Sequence, residues 1–81
     1  MKQIEQIYAF ITVDPEDDTE GIAGFLAPNN VMMPLIGADM ARIHSLREMA
    51  EKISNERGVT LRLCIFKERI ELETIEPEDE Y

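Results

Sequence analysis

The feature that most restricts the fold is an amphipathic stretch from Ala38 to Arg57. Ile43, Leu46, Met49, Ala50 and Ile53 recur at spacings of three and four, which puts them on one face of a helix. Arg47, Glu48, Glu51 and Lys52 fall largely outside that stripe. Glu48 precedes Lys52 by one helical turn, the favourable order, worth about 0.2–0.5 kcal/mol when exposed. Asp39 suits the N-cap: its carboxylate accepts from the unpaired amides of the first turn, and its charge meets the positive end of the dipole. Gly58 directly follows Arg57 and suits a left-handed C-terminal cap. One helix cannot bury its own stripe, so the rest of the chain must supply the surface it packs on.

That surface reads as a sheet. Ile4 to Val13 is rich in β-branched and aromatic residues, with Ile7, Ala9, Ile11 and Val13 on one face and Tyr8, Phe10 and Thr12 on the other. Both faces are apolar, which predicts a central strand. Asp14 to Gly21 supplies turn chemistry. Ile22 to Leu26 is a second strand, and Gly24 inside it marks a weak point or a close backbone approach. Pro28-Asn29-Asn30 is the next turn, where Asn tolerates positive φ. Val31 to Ile36 is a third strand, placed at an edge because Pro34 lacks an amide donor. After the helix, Val59, Leu61, Leu63 and Ile65 alternate with Thr60, Arg62, Cys64 and Phe66. Ile70 and Leu72 then fall in the opposite phase, consistent with a bulge or turn at residues 67–69 and a possible fifth strand.

The expected fold is therefore α+β, a two-layer β-β-β-α-β(-β) arrangement with one helix on a mixed sheet of spatial order 3-2-1-4. In it the strand after the helix runs parallel to the first. The helix stripe is expected to cover Ile7, Ala9, Ile11, Leu61, Leu63 and Ile65.

The chain of 81 residues fits one domain over residues 1–75, followed by an acidic disordered tail over 76–81. Cys64 is the only cysteine, no secretory leader is legible at the N-terminus, and no apolar run is long enough to span a membrane. A cytoplasmic protein without membrane contact is expected. The net charge is −9, and 11 of the 17 acids lie in two clusters, residues 14–20 and 71–80. Such a surface repels phosphate, so direct nucleic-acid binding is not expected, and a basic protein is the complementary partner.

The search for chemistry finds no constellation. His44 borders the helix stripe with no nucleophile or carboxylate motif around it. Cys64 sits mid-strand with nothing local to lower its pKa. Asp14, Glu16 and Asp18 have the 1-3-5 spacing of a calcium loop, but Thr19 stands where that loop needs glycine. There is no phosphate-binding glycine motif, CxxC or HExxH. An enzyme is not the expected reading, and no catalytic, cofactor-binding or metal residue is assigned. Two surfaces are assigned instead. Tyr8, Phe10, Arg62, Cys64 and Phe66 form the expected interface, on the assumption that odd-numbered residues of both strands meet the helix. Asp14, Glu16, Asp17, Asp18 and Glu20 form the expected acidic surface for a partner.

The order of elements resembles that of HicB-type antitoxins and their small stand-alone relatives, and also that of short bacterial or phage proteins. The matching text is Tyr8-Ala9-Phe10-Ile11, the acidic turn Asp17 to Gly21, Ile22 to Leu26, Pro28, the helix, and Val59 to Phe66. The helix opens Gly37-Ala38-Asp39-Met40-Ala41-Arg42, unlike the family's usual start. An acidic tail stands where that family often has a DNA-binding module. The leading expectation is a non-enzymatic interaction module, dimeric through its sheet, that acts as an inhibitor or, as the resemblance implies, an antitoxin-like partner of a basic protein. Two alternatives are an acidic nucleic-acid mimic that blocks a DNA-binding protein, and a small enzyme or ligand-binding domain whose site forms at an oligomer interface.

Overall fold

The computed structural model describes residues 3–78. It is an α+β fold with one helix packed on antiparallel sheets. The elements are β1 (Ile7–Val13), β2 (Glu20–Ile22), β3 (Gly24–Leu26), β4 (Met32–Pro34), β5 (Ile36–Gly37), α1 (Met40–Arg57) and β6 (Thr60–Phe66).

The helix forms as its caps dictate. The Asp39 carboxylate accepts from the Arg42 amide at 2.9 Å, and Gly58 adopts φ 64° with its amide donating to the Ser54 carbonyl. Ile43, Leu46, Ala50 and Ile53 are buried, as their spacing requires. Gly37 lets the chain enter the helix closely: a Cβ there would lie 2.7 Å from Arg42 Cγ. Asn30 takes the positive φ expected in its turn. A Cβ on Gly24 would come within 3.0 Å of the Met33 carbonyl oxygen, so this glycine does mark a close backbone approach.

β1 is the central strand. β6 lies along one edge of it, with Ile7 opposite Phe66 and Val13 opposite Thr60. Along the other edge lie β2, with Ile11 opposite Ile22, and then β5, with Ala9 opposite Ile36. Between β2 and β5 the chain leaves the edge as a hairpin, β3 paired with β4. Three backbone bonds close the fork where it leaves: Phe10 to Leu35 at 3.1 Å, Ala23 to Phe10 at 2.8 Å, and Leu35 to Ala23 at 2.8 Å. Pro34 sits in β4, whose only partner strand among the described residues is β3. From the hairpin through β2 and β1 to β6, the spatial order is the expected one.

Two expectations are corrected. The sheet is antiparallel throughout, not mixed, because β6 runs opposite to β1. The reason is the fork. A plain three-strand meander would leave the third strand parallel to the first. Here the hairpin is an excursion, and β5 resumes in the direction of β2, antiparallel to β1. The helix therefore links β5 and β6, which run parallel to each other on either side of β1, as a helical crossover does.

The second correction concerns the covered face. The core beneath α1 is Phe10, Ala23, Leu35, Ile43, Leu46, Ala50 and Ile53, with Tyr8, Phe25, Met49, Val59 and Leu61 packed against it. The helix thus covers the even-numbered face of β1, not Ile7, Ala9 and Ile11. Both faces of β1 are apolar, so periodicity could not choose between them. Side-chain size does: the Phe10 ring fills the space between sheet and helix, whereas an Ala9 methyl would leave it empty. On β6 the odd-numbered residues do face the helix side, since antiparallel pairing sets Leu63 opposite Phe10 and Leu61 opposite Thr12.

Regular structure stops at Phe66. Residues 67–78 carry no helix or strand and are exposed, so the fifth strand is not formed within the described residues. The Cα radius of gyration is 16.0 Å, whereas a compact chain of this length has about 12 Å. The C-terminal segment is an arm that leaves the body.

Candidate functional site

Each strand residue's side is settled by the register, and the register divides the expected interface. Tyr8 and Phe10 point toward α1, and Phe10 is a core residue at 5% exposure. Arg62, Cys64 and Phe66 point the other way, paired across from Ile11, Ala9 and Ile7. The five do not form one patch.

The uncovered face is a different set. Ile7, Ala9, Ile11 and Val13 of β1 occupy its centre. Ile22 and Ile36 flank them on one side, and Arg62, Cys64 and Phe66 on the other. Ala9 and Ile11 are buried, outside the helix-side core. Ile7, Ile22 and Phe66 remain 41%, 57% and 53% exposed. The alternation of β6 does put Cys64 and Phe66 on one face. Ile7, Ile22 and Ile36 were missed because their place depends on cross-strand pairing through the fork. The signal that could have found them is the size contrast between Phe10 and Ala9.

The acidic turn is built as its residues suggest. Asp14 accepts from the Glu16 amide at 2.8 Å, and Asp17 from the Thr19 amide at 3.0 Å. The Asp14 amide donates to the Thr19 carbonyl, which closes the turn, and Asp18 takes φ 59°. The Thr19 backbone amide, helped by the Thr19 side chain, holds the Asp17 carboxyl below its ordinary pKa. Asp14, Glu16, Asp17, Asp18 and Glu20 are all exposed. Two of the acids thus serve their own loop as turn acceptors, and the group stays in water at one end of β1.

Nothing in the described residues gathers three or more His, Cys, Asp or Glu side chains into a group able to hold a metal ion. His44 is exposed on the helix, and Cys64 is a half-buried free thiol. Among the described residues no helix is long and apolar enough to cross a membrane. Arg69 donates to the Ile4 carbonyl at 3.4 Å and pairs with Glu71 at 3.4 Å, the last contacts before the arm runs free of the body. No family model matches the chain, and neither a curated protein nor a solved structure is similar to it at a significant level.

Proposed function

We propose that this protein is a non-enzymatic interaction module that works as a homodimer and holds its acidic turn outward for a basic partner. The observation that carries this reading is the apolar sheet face opposite α1, with Ile7, Ile22 and Phe66 half exposed around buried Ala9 and Ile11. A second copy is the occupant proposed for it. The chain exposes 7131 Å², whereas a compact monomer of 9.3 kDa exposes about 5,000 Å². Part of the difference is the arm beyond Phe66; a second copy fits the face because a twofold contact needs only a self-complementary patch. An inhibitor or antitoxin-like role fits the acidic turn and the order of elements.

Light scattering over a concentration series is the test. A dimer is expected at micromolar concentration, with Phe66→Ser shifting the mass toward monomer while helical circular dichroism is kept. A monomer at every concentration overturns the reading. For the second partner, a basic protein captured by the wild type should be released by salt. It should not be captured when Asp14, Glu16, Asp17, Asp18 and Glu20 are replaced by their amides. Equal capture by that variant removes the turn from the proposal.

A further inference from the structure

Two features of the chain lack partners, and each has the shape of the other's. The first is the outer edge of β6. Its inner edge pairs with β1 along all seven residues, and no other strand among the described residues pairs with it. An edge of this length is normally guarded by proline, a bulge, lysines or a covering loop. Thr60–Phe66 has neither proline nor lysine, and Arg62 is its only charge. Leu63 and Ile65, on the helix side, are also about 40% exposed, 38% and 42%. The second feature is the arm. Ile70, Leu72 and Ile75 are 77%, 92% and 84% exposed. Ile70, Leu72 and Thr74 alternate with Arg69, Glu71 and Glu73, which is the period of a strand that has found no sheet.

We infer that residues 69–75 of one copy add as a strand to the free edge of β6 in a second copy, reciprocally, so that arm exchange closes the dimer. This rests on the homodimer proposed above for its stoichiometry and places the contact along the β6 edge, beside Phe66; a strand added there widens the sheet and leaves the face around Ile7 and Ile22 open. Length fits, since with Ile70 opposite Phe66 six arm residues, 70–75, meet six of the seven edge residues, 61–66. Charge fits as well. The arm beyond Arg69 carries Glu71, Glu73, Glu76 and Glu78, while residues 38–69 hold seven bases against five acids.

Symmetry adds a geometric constraint. A twofold axis normal to an antiparallel sheet keeps each face on its own side, and directly opposed residues share a face. Residues of like parity must therefore meet. Even-numbered Ile70 and Leu72 would then join Cys64 and Phe66, whose row continues into Ala9 and Ile7. The arm would extend the apolar face opposite α1, and Glu71 and Glu73 would lie on the helix side. The phase of Ile70 and Leu72 relative to Leu63 and Ile65 then needs no bulge.

Isotope-filtered NMR on a one-to-one mixture of labelled and unlabelled full-length protein tests this. Cross-peaks between Ile70 or Leu72 of one copy and Cys64 or Phe66 of the other are expected, together with slowed amide exchange in residues 70–74. Leu72→Asp, and separately truncation after Lys67, should each raise the dimer dissociation constant at least tenfold without loss of the helical signal. A dimer that survives truncation overturns arm exchange and leaves the homodimer in place. Arm contacts found only within one chain overturn it too, since the arm would then be folded back on its own β6. A wild-type monomer overturns both proposals.

Discussion

Phe10 separates a core role from an interface role more sharply than any other residue. It is 5% exposed and lies under Ile43, Leu46, Ala50 and Ile53 of the helix. Truncation to alanine removes most of an aromatic side chain that buries about 150–250 Å². At about 25 cal/mol per Å² this is roughly 4–6 kcal/mol, against about 3–5 kcal/mol for measured Phe→Ala changes. A domain of this size has about 4–12 kcal/mol in total, so the variant keeps a fraction of its stability or unfolds. With a urea dependence near 1 kcal/mol per M for so small a domain, the midpoint falls by about 3 M or more. Phe66 is the control. It is 53% exposed on the opposite face, so by the same arithmetic Phe66→Ala should lower the monomer's midpoint by about half as much as Phe10→Ala. Urea titrations of both variants, at a concentration low enough to suppress association, make the comparison. A smaller shift for Phe10→Ala than for Phe66→Ala would refute the assignment of faces.

Gly37→Ala places a Cβ 2.7 Å from Arg42 Cγ and 2.9 Å from Arg42 Cβ, so the helix start must move; a loss of about 1–3 kcal/mol is expected by thermal denaturation. Asp39→Ala removes the acceptor of the Arg42 amide and should cost about 1 kcal/mol, with Asp39→Asn closer to wild type. Asp17 should titrate below the ordinary aspartate range of about 3.9 in carboxyl-detected NMR, because the Thr19 amide and side chain favour its charged form. The sign is that of a depressed carboxylate: its contribution is present above the unfolded pKa and lost as pH falls through the folded one. Asp17→Ala should therefore narrow the stability difference between neutral and strongly acid solution.

What could be read from the chain was whatever depends on near neighbours. The helix, both of its caps, the turn at Asn30, the tight approach at Gly24 and the edge position of Pro34 all follow from residues within a turn or a hairpin of one another. What failed depends on residues far apart. The fork at Ala23 and Leu35 carries no turn signal. Both are ordinary apolar residues inside apolar runs, and only their bonds to Phe10 show that each run is two strands. Missing it reversed the direction of β6. The covered face of β1 is a separate matter: Tyr8-Ala9-Phe10-Ile11 is apolar on both sides, and only the sizes of its side chains differ. Arg62, Cys64 and Phe66, three of the five expected interface residues, share the face opposite α1, because alternation along one strand is a near-neighbour property.

The open surfaces share one cause. An 18-residue helix, about 27 Å long, is the only second layer for a sheet three positions wide. Its buried stripe lies over Phe10, Ala23 and Leu35, toward the β2–β5 side. β6 is left at the margin: Leu63 and Ile65 are half uncovered on the helix side, Phe66 on the other, and the outer edge has no strand. β6 is the longest strand edge left without a partner among the described residues, since β2 and β5 are only three and two residues long. The arm departs from the end of that same strand, and its exposed Ile70 and Leu72 have the spacing to fill the place. A fold completed by its own copy in this way is incomplete as a monomer. Its stability should therefore depend on protein concentration, as it does when partner subunits bind only the folded state. A melting temperature that rises with concentration for the wild type, and stays constant once the chain is truncated after Lys67, is the expected signature.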